Sequence, residues 1–173
     1  MSRLRRIEQS HRYFFVTTNL AEGTAPFSSS ECDQVLNDMQ VVRSSRDFLL
    51  LAYVVMPDHV HLMMYPRETT LSIVLQDLKK RTARSLHKSR GCAGPIWQSR
   101  FFDFICRRVR DYWSKVEYIH QNPVTAGLVD RPEDWRWSSA FPFDTSTSAG
   151  ALRPDHVEMP LGPDTLLWPA HLR

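Results

Sequence analysis

The sequence predicts an α+β fold of the ferredoxin-like (RRM-like) kind, a four-stranded antiparallel sheet with helices on one face in the order β-α-β-β-α-β-α, followed by an irregular C-terminal tail. Three observations predict it. Phe48 to Met56 is a continuous apolar run bounded by Arg46-Asp47 and Pro57-Asp58, as a buried central strand requires. A second strand, His59 to Tyr65, follows at once, and so short a connection makes the pair an antiparallel hairpin. Segments with helical periodicity flank this hairpin, and further stretches with strand character lie beyond them.

Arg12 to Leu20 (RYFFVTTNL) is rich in aromatic and β-branched residues and reads as the first strand, preceded by a basic arm. Ser28 to Ser30 offer caps for a first helix from about Ser30 to Ser45, in which Val35, Leu36, Met39 and Val42 recur at helical spacing. After the hairpin, Thr69 or Thr70 caps a long helix with Leu71, Val74, Leu75, Leu78 and Leu86 on one side, ended by Gly91 and Gly94-Pro95. Phe101 to Cys106 reads as the fourth strand. Asp111 is expected to cap a third helix that stops near Asn122, because Pro123 disfavours helical geometry in the residue before it. Residues 1–140 thus form one domain with its arm, and 141–173 a proline-rich, mildly acidic tail.

The 173 residues suffice for one domain, and 42% hydrophobic with 24% charged residues is the composition of a folded, soluble chain. The longest apolar run is less than half of the ~20 residues a membrane-spanning helix needs, and no secretory leader precedes it; a cytoplasmic protein without a membrane partner is expected. Cys32, Cys92 and Cys106 lack paired spacing and read as buried free thiols. The net charge of +3 conceals an asymmetry: residues 76–110 carry ten Lys/Arg against two Asp, whereas residues 130–173 sum to −3. Such a basic segment points to a polyanion, most directly nucleic acid, although a solvated helix face has the same composition. The candidate contacts are Arg3, Arg5, Arg6 and Arg12 of the arm, Lys79, Lys80, Arg81 and Arg84 of the long helix, and Arg100. The acidic tail would compete with DNA for that surface, so a chain ending near Ala140 is expected to bind or cleave at least as well as the whole.

Three short stretches have the residue types that chemistry needs. His59-Val60-His61 begins a strand, where alternation sends both imidazoles to one face, at a sheet edge, and Val60 to the packed one. The pair suits a metal, or equally two packed histidines. Tyr118 and Asn122 stand four apart and share a helix face, and an amide at a frayed C-terminus can ligate a cation. A half-buried packing tyrosine and a helix cap explain the same spacing. Trp97-Gln98-Ser99-Arg100-Phe101 interleaves basic and aromatic side chains as a single-strand binding surface would, and as core aromatics beside a surface arginine also would.

Taken together, RYFFVTTNL, YVVMPDHVHLMMYP, IWQSRFFD, EYIHQNPVTAGLV and DWRWSS make the sequence resemble the REP-associated tyrosine transposases, a branch of the single-tyrosine HUH nucleases. The five stretches stand in the family's order over about residues 12 to 140. The resemblance implies that His59, His61 and Asn122 bind a metal and that Tyr118 is the nucleophile. It also implies a substrate of single-stranded DNA carrying a hairpin of a repetitive extragenic palindrome.

Two imidazoles and one amide leave coordination positions open, which suits a Mg²⁺ or Mn²⁺ that polarises a scissile phosphate. Attack by the phenol would leave a 5′-phosphotyrosine and a free 3′-hydroxyl, conserving bond energy for strand joining. Tyr112, six residues earlier and so about 240° round the helix, points away from Asn122. Two other readings share these residues: a non-catalytic nucleic-acid-binding module, and a metal-dependent phosphodiesterase using water. A monomer is expected.

Overall fold

The computed structural model describes residues 10–142 and 152–167. Its elements are β1 (Tyr13–Asn19), α1 (Ser29–Ser45), β2 (Phe48–Val55), β3 (His59–Pro66), α2 (Leu71–Arg90), β4 (Phe102–Cys106) and α3 (Val109–Thr125), then a 3₁₀ turn at Pro132–Asp134. The strands form one antiparallel sheet in the order β2-β3-β1-β4, so the predicted element order and sheet hold. The helices do not all lie on one face. Phe14 and Val16 of β1 and Val60, Leu62 and Met64 of β3 pack with α1 and α2, while Phe15, Met63 and the β2 residues Ala52 and Val54 pack with Val109, Tyr112, Val116 and Ile119 of α3. Cover on both faces explains why β2 is a continuous apolar run rather than an alternating one.

Helix α1 opens with a reciprocal cap. The Ser28 hydroxyl accepts from the Glu31 N–H, and Glu31 Oε2 accepts from the Ser28 N–H at 2.8 Å. The same carboxylate receives Arg90 at 2.6 and 3.0 Å, tying the start of α1 to the end of α2. Thr70 caps α2, and Gly91 ends it at φ 61°, a left-handed conformation that glycine adopts without steric cost.

Helix α3 differs from expectation at both ends. It starts at Val109, so Asp111 works from inside the first turn, accepting from the N–H groups of Arg107 and Arg108 at 3.1 and 2.9 Å. It then runs through Pro123 to Thr125, with Ala126 N–H donating to the Asn122 carbonyl and Leu128 N–H to that of Pro123. The bias against helix before proline is a local preference, and packing of Ile119 and Pro123 on the sheet outweighs it. Asn122 is therefore held within the last turn and not frayed.

After α3 the chain straps the outer edge of β2. Val55 N–H donates to Trp137 O and Ser139 N–H to Tyr53 O, while the indoles of Trp135 and Trp137 donate to Val55 O and Asp33 Oδ1. Residues 152–167 form no helix or strand, yet they are bound to the body. Leu152 and Leu167 are buried, Tyr53 Oη donates to Leu152 O, and Asp155 accepts from the Leu50 N–H. Carboxylates of this stretch do meet arginines: Asp155 pairs with Arg43, and Asp164 with Arg108 and Arg110. Of the three cysteines, Cys32 and Cys106 are buried as expected, but Cys92 follows the α2 cap and is exposed.

Candidate active site

His59 and His61 both face α3, as strand alternation requires, with Val60 in the opposite core. The pair lies not at the lateral edge of the sheet but on interior strand β3, at the end where β3 begins. Their Nε2 atoms are 3.1 Å apart. Asn122 reaches the same point from α3: its Nδ2 donates to His61 Nε2 at 3.1 Å, and its Oδ1 lies 3.2 Å from His59 Nε2.

The outer ring nitrogens are anchored. His59 Nδ1 donates to Asp58 Oδ1 at 2.6 Å, and His61 Nδ1 donates to Thr17 Oγ1 at 2.8 Å. A carboxylate can only accept, so the first bond fixes the His59 proton on Nδ1 and leaves an Nε2 lone pair aimed at another ring's lone pair and an amide oxygen. His59 Nε2 thus meets two acceptors and no donor, an arrangement without mutual attraction that calls for a cation, and the Asn122 N–H that meets the His61 lone pair would give way to it. Ligands in adjacent octahedral positions about 2.1 Å from an ion stand about 3.0 Å apart, close to the separation seen here. His61 is only 3% exposed, and burial, then neighbouring His59, pushes its pKa down to about 3, so it is a neutral donor at physiological pH. Among the described residues no three His, Cys, Asp or Glu side chains are placed to hold a metal ion together, so this His-His-amide set is distinct in kind from a carboxylate metal site.

Tyr118 stands one turn before Asn122 on the same face of α3. Its ring centroid is 5.2 Å from that of His61 and 5.7 Å from that of Phe15, and the residue is 50% exposed. Tyr112 points elsewhere, as its helical position predicts. It is buried against Tyr13, and burial pushes its pKa up to about 12.

The predicted nucleic-acid contacts divide. Arg3, Arg5 and Arg6 lie outside the described residues. Arg12 precedes β1 at the end remote from the Asn19–His59 pairing. On α2, Lys79 Nζ donates to the carbonyls of Gln98 and Arg100, and Arg81 is paired with the buried carboxylate of Asp38 at 2.9 Å, so both serve the fold. Lys80, Arg84 and Arg100 are exposed and make no ion pair among the described residues. The α2 pair lies across the sheet from the histidines. Of the two readings of Trp97 to Phe101, Trp97 takes the core one: it is buried against Phe27, and its indole donates to Thr82 Oγ1 at 2.7 Å.

Sequence reasoning missed Asp58, Thr17 and Lys115. Asp58 adjoins His59 in the chain, whereas Thr17 reaches His61 only through the β1–β3 register. Lys115 lies one turn before Tyr118, with Nζ 5.7 Å from the Tyr118 ring centroid and 4.9 Å from that of Phe15.

An antiparallel sheet presenting two histidines, one apolar residue apart, to a helix that carries a tyrosine and an amide on one face is the framework of a single-tyrosine HUH nuclease. The family model of IS200-like transposases matches residues 24–122, and the chain belongs to that family. It is a DNA-cleaving and DNA-joining enzyme of the tyrosine transposase class. The REP-associated tyrosine transposase of Escherichia coli strain K12 is 28% identical over 141 residues, covering 80% of this chain and 82% of its own. A Haemophilus influenzae relative is 27% identical over 150 residues, covering 80% of this chain and 85% of its own. The structure of a REP-associated tyrosine transposase bound to a REP hairpin superposes with a TM-score of 0.69 at 25% identity, covering 90% of this chain and all of that one.

Proposed function

We propose that the chain is a metal-dependent single-stranded DNA endonuclease and strand transferase, acting on hairpins of repetitive extragenic palindromes through a 5′-phosphotyrosine. The observation that carries this reading is the juxtaposition of Tyr118 with the point where His59, His61 and Asn122 converge. The hairpin is carried over from the structural relative, whose own complex contains one. No helix among the described residues is long and apolar enough to cross a membrane.

His59, His61 and Asn122 would hold the ion, Mg²⁺ or Mn²⁺, through two imidazole nitrogens and one amide oxygen. When bound, it supplies Lewis-acid polarisation of the scissile phosphate. Asp58 and Thr17 keep both Nε2 lone pairs directed inward. Tyr118 Oη, losing its proton, attacks phosphorus; the bond to the 3′ oxygen breaks, and that oxygen takes up a proton as the free 3′-hydroxyl. The phosphate stays on Tyr118 as a diester, and reversal by an incoming 3′-hydroxyl joins strands without a nucleotide cofactor.

Tyr118→Phe tests this, since it removes only the phenolic oxygen. On a labelled hairpin oligonucleotide carrying a single-stranded flank, the wild type should form a covalent adduct and the variant neither adduct nor cleaved product, with hairpin affinity retained. Cleavage persisting in Tyr118→Phe would identify water as the nucleophile, and binding without cleavage by the wild type would make the chain a binding module.

A further inference from the structure

On the face of the sheet that holds the catalytic centre, edge strand β4 presents two phenylalanines to solvent. Phe102 pairs with Thr17 and Phe104 with Phe15, so both side chains share the face of His61, while Asp103 between them turns away. They are 58% and 38% exposed. Exposure on that scale forgoes much of the stabilisation that burying a phenylalanine provides, and a structural role would have covered both rings. They are uncovered because α3 lies chiefly over β2 and covers edge strand β4 only sparsely.

A cation completes the surface. Lys115 Nζ sits 5.1 Å from the Phe104 centroid, 4.9 Å from that of Phe15 and 5.7 Å from that of Tyr118, and has no ion pair among the described residues. Two exposed rings, one of them beside an unpaired ammonium that also neighbours Tyr118, form what a single DNA strand needs: stacking platforms for bases and a positive charge for a phosphate. Two positions along a strand set the rings about 7 Å apart, which successive nucleotides of an extended strand can follow.

We propose that Phe102, Phe104 and Lys115 form the subsite for the unpaired nucleotides flanking the scissile phosphate, the bases stacking on the two rings and a backbone phosphate meeting Lys115. This inference rests on the endonuclease reading above and names where its single strand lies. The unpaired charge of Lys115 and continuity with Tyr118 favour a DNA strand as the occupant.

The test uses the full chain with two fluorescein-labelled probes, a twelve-thymidine strand and a twelve-unit abasic strand with the same phosphates and no bases. The wild type should bind the thymidine strand at least tenfold more tightly in anisotropy titrations. Phe102→Ala with Phe104→Ala should weaken thymidine binding about tenfold or more and leave the abasic strand unchanged. Lys115→Ala should weaken both and lower the log–log salt slope by about 0.7. Equal affinity of the wild type for both probes, a double variant that binds both unchanged, or a wild-type dimer in sedimentation that the double variant dissociates would each overturn the proposal. A Tyr118 adduct formed without base discrimination removes the subsite alone. Discrimination without an adduct supports the subsite while the endonuclease reading fails.

Discussion

Thr17→Val removes one hydroxyl and keeps the β-branched shape that suits a strand, so it isolates the bond that orients His61. The His61 ring is buried, and its Nδ1–H donates to Thr17 Oγ1 at 2.8 Å. Losing that acceptor leaves a buried donor unsatisfied, at a cost of about 1–3 kcal/mol, or the ring shifts its proton to Nε2 to escape. Proton transfer to Nε2 removes the lone pair that the proposed metal would require and opposes the donation from Asn122 Nδ2 at 3.1 Å. Either route raises the Mg²⁺ concentration for half-maximal cleavage about 10- to 100-fold, the range for groups that orient metal ligands. Single-turnover cleavage across a Mg²⁺ titration measures this, and Thr17→Ser, which restores the hydroxyl, should recover the wild-type midpoint. An unchanged midpoint in Thr17→Val would refute both the tautomer assignment and the role given to β1.

Three further outcomes follow from named contacts. Arg90 hydrogen-bonds Glu31 and, with the Ser28 contacts, brings its pKa down from 4.5 to about 2, so the folded state favours the carboxylate; that stability is present above the unfolded value and is lost as pH falls towards 2. At this partly exposed pair it amounts to roughly 2 kcal/mol, and urea titrations at pH 7 and pH 3 should show it in the wild type and not in Glu31→Gln. A chain ending at Ala140 removes the Tyr53 and Leu50 partners and buried Leu152 and Leu167, so it should lose about 3 kcal/mol or more in denaturation, and an unchanged melting curve would show that these contacts do not stabilise the fold. Lys80→Ala with Arg84→Ala should weaken hairpin binding and reduce its log–log salt slope, by about 0.9 for each duplex phosphate lost, while single-turnover cleavage at saturating DNA is unchanged because α2 lies across the sheet from Tyr118. A fall in that saturated rate would refute the separation.

What the sequence disclosed was local, and what it concealed depended on packing. The β2–β3 hairpin was legible because a long apolar run ended in Pro57-Asp58, and the shared side of His59 and His61 because alternation is a property of any strand. The Tyr118–Asn122 spacing was legible because 3.6 residues make a turn. The end of α3 was not, since a preference at Pro123 competed with burial that only the folded sheet supplies. Trp97 and Phe102 show the same limit from opposite sides. Both are large aromatics of one short stretch, yet Trp97 is buried on the α2 side with its indole bonded to Thr82, while Phe102 lies on the α3 side and is open to solvent, a difference that only the fold decides.

The site's register depends on a stretch of chain far from it in sequence. A slip of one residue in β3 would exchange its faces, carrying both histidines into the apolar core under α1 and α2 and bringing Val60 to Asn122. The start of β3 is fixed by the Met56 N–H, which donates to His59 O at 2.8 Å, so the position of Met56 decides that of the histidines. Met56 is in turn the first residue after β2, an edge strand whose outer side is held by Trp135, Trp137 and Ser139. Edge strands left unpaired are prone to shifted pairing, and here the DWRWSS strap occupies those hydrogen-bonding groups. The strap also bonds Asp33 of α1 through the Trp137 indole, and Ser139 Oγ lies 2.9 Å from His120 Nε2 on α3. One short segment thus links the helices on both faces to the strand whose position sets that of His59 and His61. That physical linkage accounts for the place of DWRWSS among the family stretches although none of its side chains reaches the catalytic centre.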